Sequence, residues 1–135
     1  KKNNFRFYNQ KYEININEWL MVQVSFVGPM LGQLHFFYKF NKGKSEYAEN
    51  RFSELAKKIY EYLDMQLSKN KYLACDEYTI ADIATFPWLC RHEWHEIGIK
   101  KYKNLSRWYE EISKRPAVIK GYDPENLGEK IPMVS

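Results

Sequence analysis

The chain has 135 residues, 17% of them aromatic, and its 21 basic and 17 acidic side chains give a formal net charge of +4. This length suits a single domain, which would bury about 65–70% of its unfolded surface. With no run of five like charges, we expect no nucleic-acid arm, and two cysteines, Cys75 and Cys90, are too few for a disulfide framework. No secretory signal and no bilayer-spanning stretch of about 18 apolar residues are evident, so we expect a cytoplasmic protein without membrane contact.

Residues 1–16 mix lysine, asparagine and aromatic residues without a steady period, which predicts an irregular lead-in. The interleaved aromatic and basic residues at positions 5–8 permit stacking on nucleobases, but packing against helices is the favoured interpretation. A long helix is predicted from Asn17, as N-cap, to about Phe40. Because proline lacks an N–H and crowds the preceding turn, Pro29 predicts a kink near residues 24–28.

Gly28 and Gly32 lie one turn apart in the run Gly28-Pro-Met-Leu-Gly-Gln33. Without side chains they leave a bare strip that another backbone or a ligand can approach. The alternative is that they only ease helix packing around the kink, and the sequence leaves both interpretations open.

Ser45 is predicted to cap a second helix that continues to about Ser68. Tyr47 and Arg51 fall one turn apart on its edge, which places the guanidinium at the rim of the core. There Arg51 can form bidentate hydrogen bonds to a carboxylate ligand. Spacing alone instead favours an intrahelical partner, either Tyr47 or Glu54.

The third helix begins at Thr79, because Thr79 and Asp82 have the spacing of a capping box. Tyr78 and Ile83 have the spacing of a hydrophobic staple. The following residues are apolar on every side, which predicts a buried central helix. Cys75 precedes this helix, where a thiol can become nucleophilic, but an ordinary loop cysteine is the favoured interpretation.

The segment 90–98 contains His92 and His95, three residues apart in the order H-E-x-H, whereas the zinc-protease pattern needs histidines four apart. We therefore expect no metal site, and a helix stop at Gly98. A fourth helix is predicted over residues 101–115, a short extra turn over 117–120, and an extended tail over 123–135.

Three motifs occur in order: the run 28–33 followed by His35 and Phe37, then Tyr47-Ala-Glu-Asn-Arg51, then YLACDEYTIADIATFPW at residues 72–88. Together they resemble the C-terminal domain of glutathione transferases, in the nu-class and fungal nitrogen-regulator subgroup. The resemblance covers roughly residues 17–120. It implies an all-α bundle of four principal helices plus short extras over residues 17–122, with residues 1–16 matching the connection to an N-terminal thioredoxin-like domain.

The family's thioredoxin-like domain is absent from these residues, and Lys1 in place of Met suggests a longer natural product. The resemblance implies glutathione as cosubstrate, Arg51 as a glutathione contact, and Met30, Gln33 and Phe36 as a substrate wall. The implied reaction is thiol conjugation or thiol–disulfide exchange with a small electrophile or disulfide, in a full-length homodimer. No catalytic residue is assigned to this chain, which we expect to be inactive alone.

One departure from the family bears on the substrate wall. Ser25 and Phe26 stand where the family commonly has two glycines, and a bulky Phe26 would fill part of the substrate site. The main alternative function is a non-catalytic assembly module, similar to domains attached to translation factors and aminoacyl-tRNA synthetases, which predicts a large exposed apolar patch. An RNA-binding bundle predicts salt-dependent affinity for polyanions, which the scattered charge argues against.

Overall fold

The computed structural model describes residues 6–122 and 130–134. Within these ranges every regular element is helical, which confirms the all-α fold class. The α-helices, in chain order, are α1 Glu13–Val22, α2 Gly28–Leu34, α3 Glu46–Leu67, α4 Ile80–Leu89, α5 His92–His95, α6 Lys103–Ser113 and α7 Pro116–Tyr122.

The first helical rod begins earlier than predicted. A 3₁₀ turn, Gln10–Tyr12, leads directly into α1, and the Asn9 side chain caps this turn by accepting a hydrogen bond from the Lys11 N–H at 3.0 Å. The predicted N-cap at Asn17 was wrong: Asn17 lies inside α1, where its side chain accepts from the Tyr8 hydroxyl at 3.1 Å. The helical rod therefore starts within the predicted lead-in, because Asn9, which precedes Asn17 in the chain, provides the cap.

The disturbance predicted before Pro29 takes the form of a π-helical turn over Gln23–Val27. In this turn the Gly28 N–H donates to the Gln23 carbonyl, five residues back. A wider turn provides a partner for a carbonyl at the point where proline removes an N–H from the regular ladder. A second π-helical segment, His35–Phe40, ends the rod and was not predicted.

By length and composition alone, the continuous helix Gln10–Phe40 is apolar enough to cross a bilayer. The expectation that no stretch of the chain qualifies was therefore wrong. The core helix of a soluble protein meets the same criterion. Ile16, Leu31 and Leu34 of this helix are fully buried in the core cluster, whereas only 28% of its apolar window is buried.

Three other predicted elements are confirmed. The Ser45 hydroxyl accepts from the Ala48 N–H at 3.3 Å and begins α3. The predicted apolar face of α6 is buried, and the extra turn after Pro116 is α7. The buried residues of that face are Leu105, Trp108, Tyr109 and Ile112.

The composition of α4 predicted that the helix is enclosed on every side. The structure instead leaves one side of it exposed. Its buried side includes Ala81 and Phe86, but 41% of the Ile83 surface is exposed and Pro87 is also exposed. An entirely apolar helix needs cover all round, and no described element covers this side. The uncovered strip is therefore available to a partner chain or domain.

The chain after α4 turns earlier than predicted. α5 ends where Glu96 adopts a left-handed conformation, at φ 53°, two residues before the expected stop at Gly98. The Tyr38 hydroxyl donates to the Glu96 carboxylate at 2.9 Å and holds this turn. Part of the predicted tail, residues 130–134, folds back, and the Tyr109 hydroxyl donates to the Pro132 carbonyl at 2.7 Å. Residues 123–129 lie outside the described ranges.

Candidate functional site

The capping box before α4 is confirmed, and its Asp82 carboxylate also accepts hydrogen bonds from outside the box. We call this set of hydrogen bonds the capping hub. One oxygen of the fully buried Asp82 accepts from the Thr79 N–H at 2.9 Å and hydroxyl at 3.1 Å. The other oxygen accepts from the Leu73 N–H at 3.0 Å and the Trp108 indole N–H at 2.8 Å. Burial raises the pKa of Asp82, although these donors oppose the shift. The carboxylate thus ties the loop before α4 to helix α6.

The bare glycine strip on α2 is occupied by the indole of Trp88. A Cβ atom at Gly32 would meet that ring at 3.6 Å, an ordinary contact distance, whereas a Cβ at Gly28 would lie 3.2 Å from it. The Gly28 Cβ would also lie 3.0 Å from Nε2 of Gln23. Gly28 therefore allows the indole and the Gln23 amide to approach the helix backbone together.

Beside this contact lies an open cleft with a volume of about 460 Å³. Its lining residues are all uncharged: Gln23, Val24, Gly28, Pro29, Gly32, Gln33 and Trp88. Of the predicted substrate-wall residues, Gln33 lines the cleft, whereas Met30 packs half-buried against the core. Phe36 is 53% exposed, and its ring meets Phe37 with centroids 5.0 Å apart. The half-buried Phe26 also packs against the core and does not line the cleft.

Arg51 lies in a separate groove of about 370 Å³ on the exposed surface of α3. Its guanidinium has no hydrogen bond or ion pair within residues 6–122 and 130–134. The intrahelical pair that spacing favoured does not form, because the Glu54 carboxylate instead binds the Lys57 ammonium at 2.6 Å. The guanidinium is thus available to an external anion, although its groove and the cleft share no lining residue.

The half-buried His35 and the buried His95 and Tyr60 form a chain of side-chain contacts that the sequence did not predict. Nε2 of His95 lies 2.8 Å from Nε2 of His35, and Nδ1 of His95 lies 2.6 Å from the Tyr60 hydroxyl. Burial, with a smaller effect of neighbouring histidines, lowers the pKa of His95 to about 3. Burial and the nearby Arg91 charge lower the pKa of His35 to about 4. Both imidazoles are therefore neutral near pH 7.

The sequence also raised two other possibilities, a metal site at His92 and His95 and a nucleophilic thiol at Cys75. In the described part of the chain, no group of three or more His, Cys, Asp or Glu side chains is arranged to hold a metal ion. The His92 ring lies edge-on against Tyr109. Burial raises the pKa of the Cys75 thiol, which disfavours the thiolate and supports the interpretation of an ordinary loop cysteine.

Comparison with known proteins identifies the class. Residues 26–116 match the family model for the glutathione S-transferase C-terminal domain. The chain belongs to this family.

Two Escherichia coli K12 proteins are among its relatives. The chain is 39% identical over 112 residues to disulfide-bond oxidoreductase YghU, covering 76% of this chain and 37% of the relative. It is 33% identical over 113 residues to disulfide-bond oxidoreductase YfcG, covering 84% of this chain and 53% of the relative. The chain therefore spans between about a third and a half of these relatives.

The fold is also similar to a crystal structure of a glutathione transferase homologue from Lodderomyces elongisporus with two GSH per subunit. The TM-score is 0.82 and the identity 34%, over 91% of this chain and 60% of the other. This similarity supports the assignment of the described helices to the family's C-terminal domain.

Proposed function

We propose that this chain is the helical half of a glutathione-dependent enzyme that carries out thiol–disulfide exchange. In the complete protein, a thioredoxin-like domain would activate the glutathione thiol. The helices would provide the glutathione contact of Arg51 and the substrate wall of Met30, Gln33 and Phe36. Two glutathione molecules would be oxidised to one disulfide while the substrate disulfide is reduced to two thiols.

The observation that carries this proposal is that the Arg51 guanidinium has no partner among the residues that the structure describes. A planar guanidinium binds a carboxylate through two parallel hydrogen bonds, and glutathione carries carboxylates. The side chain lies in an open groove, so a ligand held by another domain can reach it. Glu54, its acidic neighbour on the next turn, is paired with Lys57, and no acidic side chain among the described residues binds Arg51.

The relatives favour disulfide exchange over conjugation to an apolar electrophile. Both E. coli relatives are named as disulfide-bond oxidoreductases, and the Lodderomyces structure contains two GSH per subunit. Two bound thiols of the same kind are what a disulfide exchange needs. The uncharged cleft beside α2 offers room for the substrate half of such a pair.

We also propose that the natural protein is a homodimer. Ile14 and Met21 are 81% and 61% exposed, and their spacing places them on one side of the first helical rod. Exposed apolar side chains in a row are typical of surfaces covered by another chain or domain. A light-scattering mass of one subunit at micromolar concentration would contradict the homodimer.

The test of the proposed function is a kinetic comparison of Arg51→Met with the unchanged protein, using the natural protein that contains this chain. Glutathione reduces 2-hydroxyethyl disulfide, and the glutathione disulfide formed is measured with glutathione reductase. We expect a ten- to hundredfold increase in KM for glutathione, because charge-assisted hydrogen bonds are lost. Arg51→Lys should lie between the two, since a lysine binds one oxygen only.

Lys58→Met is the matched control, because Lys58 is an exposed cation that lines the same groove. We expect its KM for glutathione to stay within twofold of the unchanged protein. An Arg51→Met protein with an unchanged KM would remove the proposed contact. A natural protein that reduces no disulfide with glutathione would contradict the proposed reaction itself.

A further inference from the structure

The Gln23 side chain lines the cleft beside α2. Only 9% of the residue is exposed, and its carboxamide forms no hydrogen bond within the described part of the chain. Among the described residues, His92 is the one with a fully buried side-chain nitrogen or oxygen that lacks a partner, so the Gln23 amide atoms are reached from the cleft. A ligand in that cleft can therefore bind the amide in place of solvent.

The surrounding backbone places Gln23 beside the cleft. Gln23 begins the π-helical turn, and its carbonyl accepts from the Gly28 N–H. Gly28 leaves the space in which the amide and the Trp88 indole meet the helix. Single π-helical turns inside α-helices are frequent at functional sites. The main chain thus places Gln23 where its side chain lines the cleft.

The chemistry of the cleft selects the group that it can bind. Since none of the described residues that line the cleft is charged, a ligand carboxylate or ammonium would find no counter-charge among them. A carboxamide has both donors and an acceptor, so it can pair with another amide through two hydrogen bonds. Gln33 places a second carboxamide on the same cleft.

We propose that Gln23 is a specificity-determining residue whose carboxamide binds an amide group of the disulfide substrate in the cleft. The enzyme should therefore prefer amide-bearing disulfides, such as those of peptides, over disulfides without an amide. This inference rests on the proposed function and names the substrate group that the helical half recognises.

The kinetic test compares two neutral disulfides in the natural protein that contains this chain. N,N′-diacetylcystamine carries one amide on each half, whereas 2-hydroxyethyl disulfide has none. Gln23→Met keeps the length and volume of the side chain but cannot pair with an amide. We expect kcat/KM for diacetylcystamine to fall about tenfold and kcat/KM for hydroxyethyl disulfide to change less than twofold.

Gln10→Met is the matched control, because Gln10 is an exposed glutamine at the start of the same helical rod. It should leave the ratio of the two kcat/KM values unchanged. An equal fall for both disulfides in Gln23→Met, or no fall for either, would overturn the proposal.

A binding measurement separates this inference from the proposed reaction. The side-chain NH₂ signals of Gln23 in a ¹⁵N spectrum are identified by their loss in Gln23→Met. Without glutathione, diacetylcystamine should shift these signals and hydroxyethyl disulfide should not. If the protein turns over neither disulfide, the proposed reaction fails, but a selective shift still supports amide binding by Gln23. Equal shifts, or none, overturn it.

Discussion

Acidification from pH 7 to 4.5 should destabilise this protein through its buried histidine chain. His95 is 1% exposed and lies between the Tyr60 hydroxyl and His35. Burial lowers the pKa of His95 to about 3 in the folded state, whereas an unfolded histidine has a pKa of about 6.5. Below pH 6.5 the unfolded state therefore takes up a proton that the folded state refuses, and the free energy of unfolding falls.

The magnitude follows from the pKa shift of each ring. One pH unit of differential protonation corresponds to about 1.4 kcal/mol. His95 should therefore lower the free energy of unfolding by about 2.5 kcal/mol between pH 6.5 and 4.5. The pKa of His35 is lowered to about 4, but this ring is half-buried and water screens part of the effect. We expect a total loss of about 3–4 kcal/mol, a large part of the stability of a domain this size.

Urea unfolding at several pH values measures this loss, and NMR titration of the three imidazole rings assigns it. His35→Gln is the comparison variant: it removes one titrating ring while an amide remains beside His95, so its loss should be about 1 kcal/mol smaller. A free energy of unfolding that stays level from pH 7 to 4.5 would refute the reasoning. So would a His95 ring signal that titrates near pH 6.5 in the folded protein.

Further predictions concern the capping hub and the glycine strip. Asp82→Asn should cost about 2–5 kcal/mol in urea unfolding, because its NH₂ would face two of the four buried donors. A loss below 1 kcal/mol would show that these donors find other partners. Gly28→Ala should cost about 1–2 kcal/mol, since its Cβ would crowd Trp88 and Gln23. Gly32→Ala should change stability by less than about 1 kcal/mol in thermal unfolding, because its Cβ has room; equal effects of the two substitutions would contradict this account of the strip.

Local signals were sufficient where a structure depends on neighbours in the chain. The caps at Ser45 and Thr79 were predictable, because capping joins residues two or three apart. The buried face of α6 was predictable from its period. The sequence did not indicate which of two nearby residues begins or ends a helix. Asn9, and not Asn17, begins the helical rod, and Glu96 turns the chain before Gly98.

The candidate site was only partly predictable. Arg51 was identified by resemblance, but whether its guanidinium was engaged depended on Glu54, which has several possible cations nearby and binds Lys57. Gln33 was placed in a substrate wall, whereas Gln23 was not singled out. The signal available for Gln23 was its position before Gly28 and Gly32 on a helix interrupted by Pro29, and that pattern does not indicate that its amide faces a cleft.

The sequence by itself determined that the chain is helical, where the caps of α3 and α4 lie, and which family its motifs belong to. Tertiary structure alone decided that the Asp82 carboxylate binds the Trp108 indole and that His95 bridges His35 and Tyr60. These contacts join residues 26 to 60 positions apart. Helix periodicity fixes which side of a helix is buried, but the contacts depend on the angle and register at which separate helices pack.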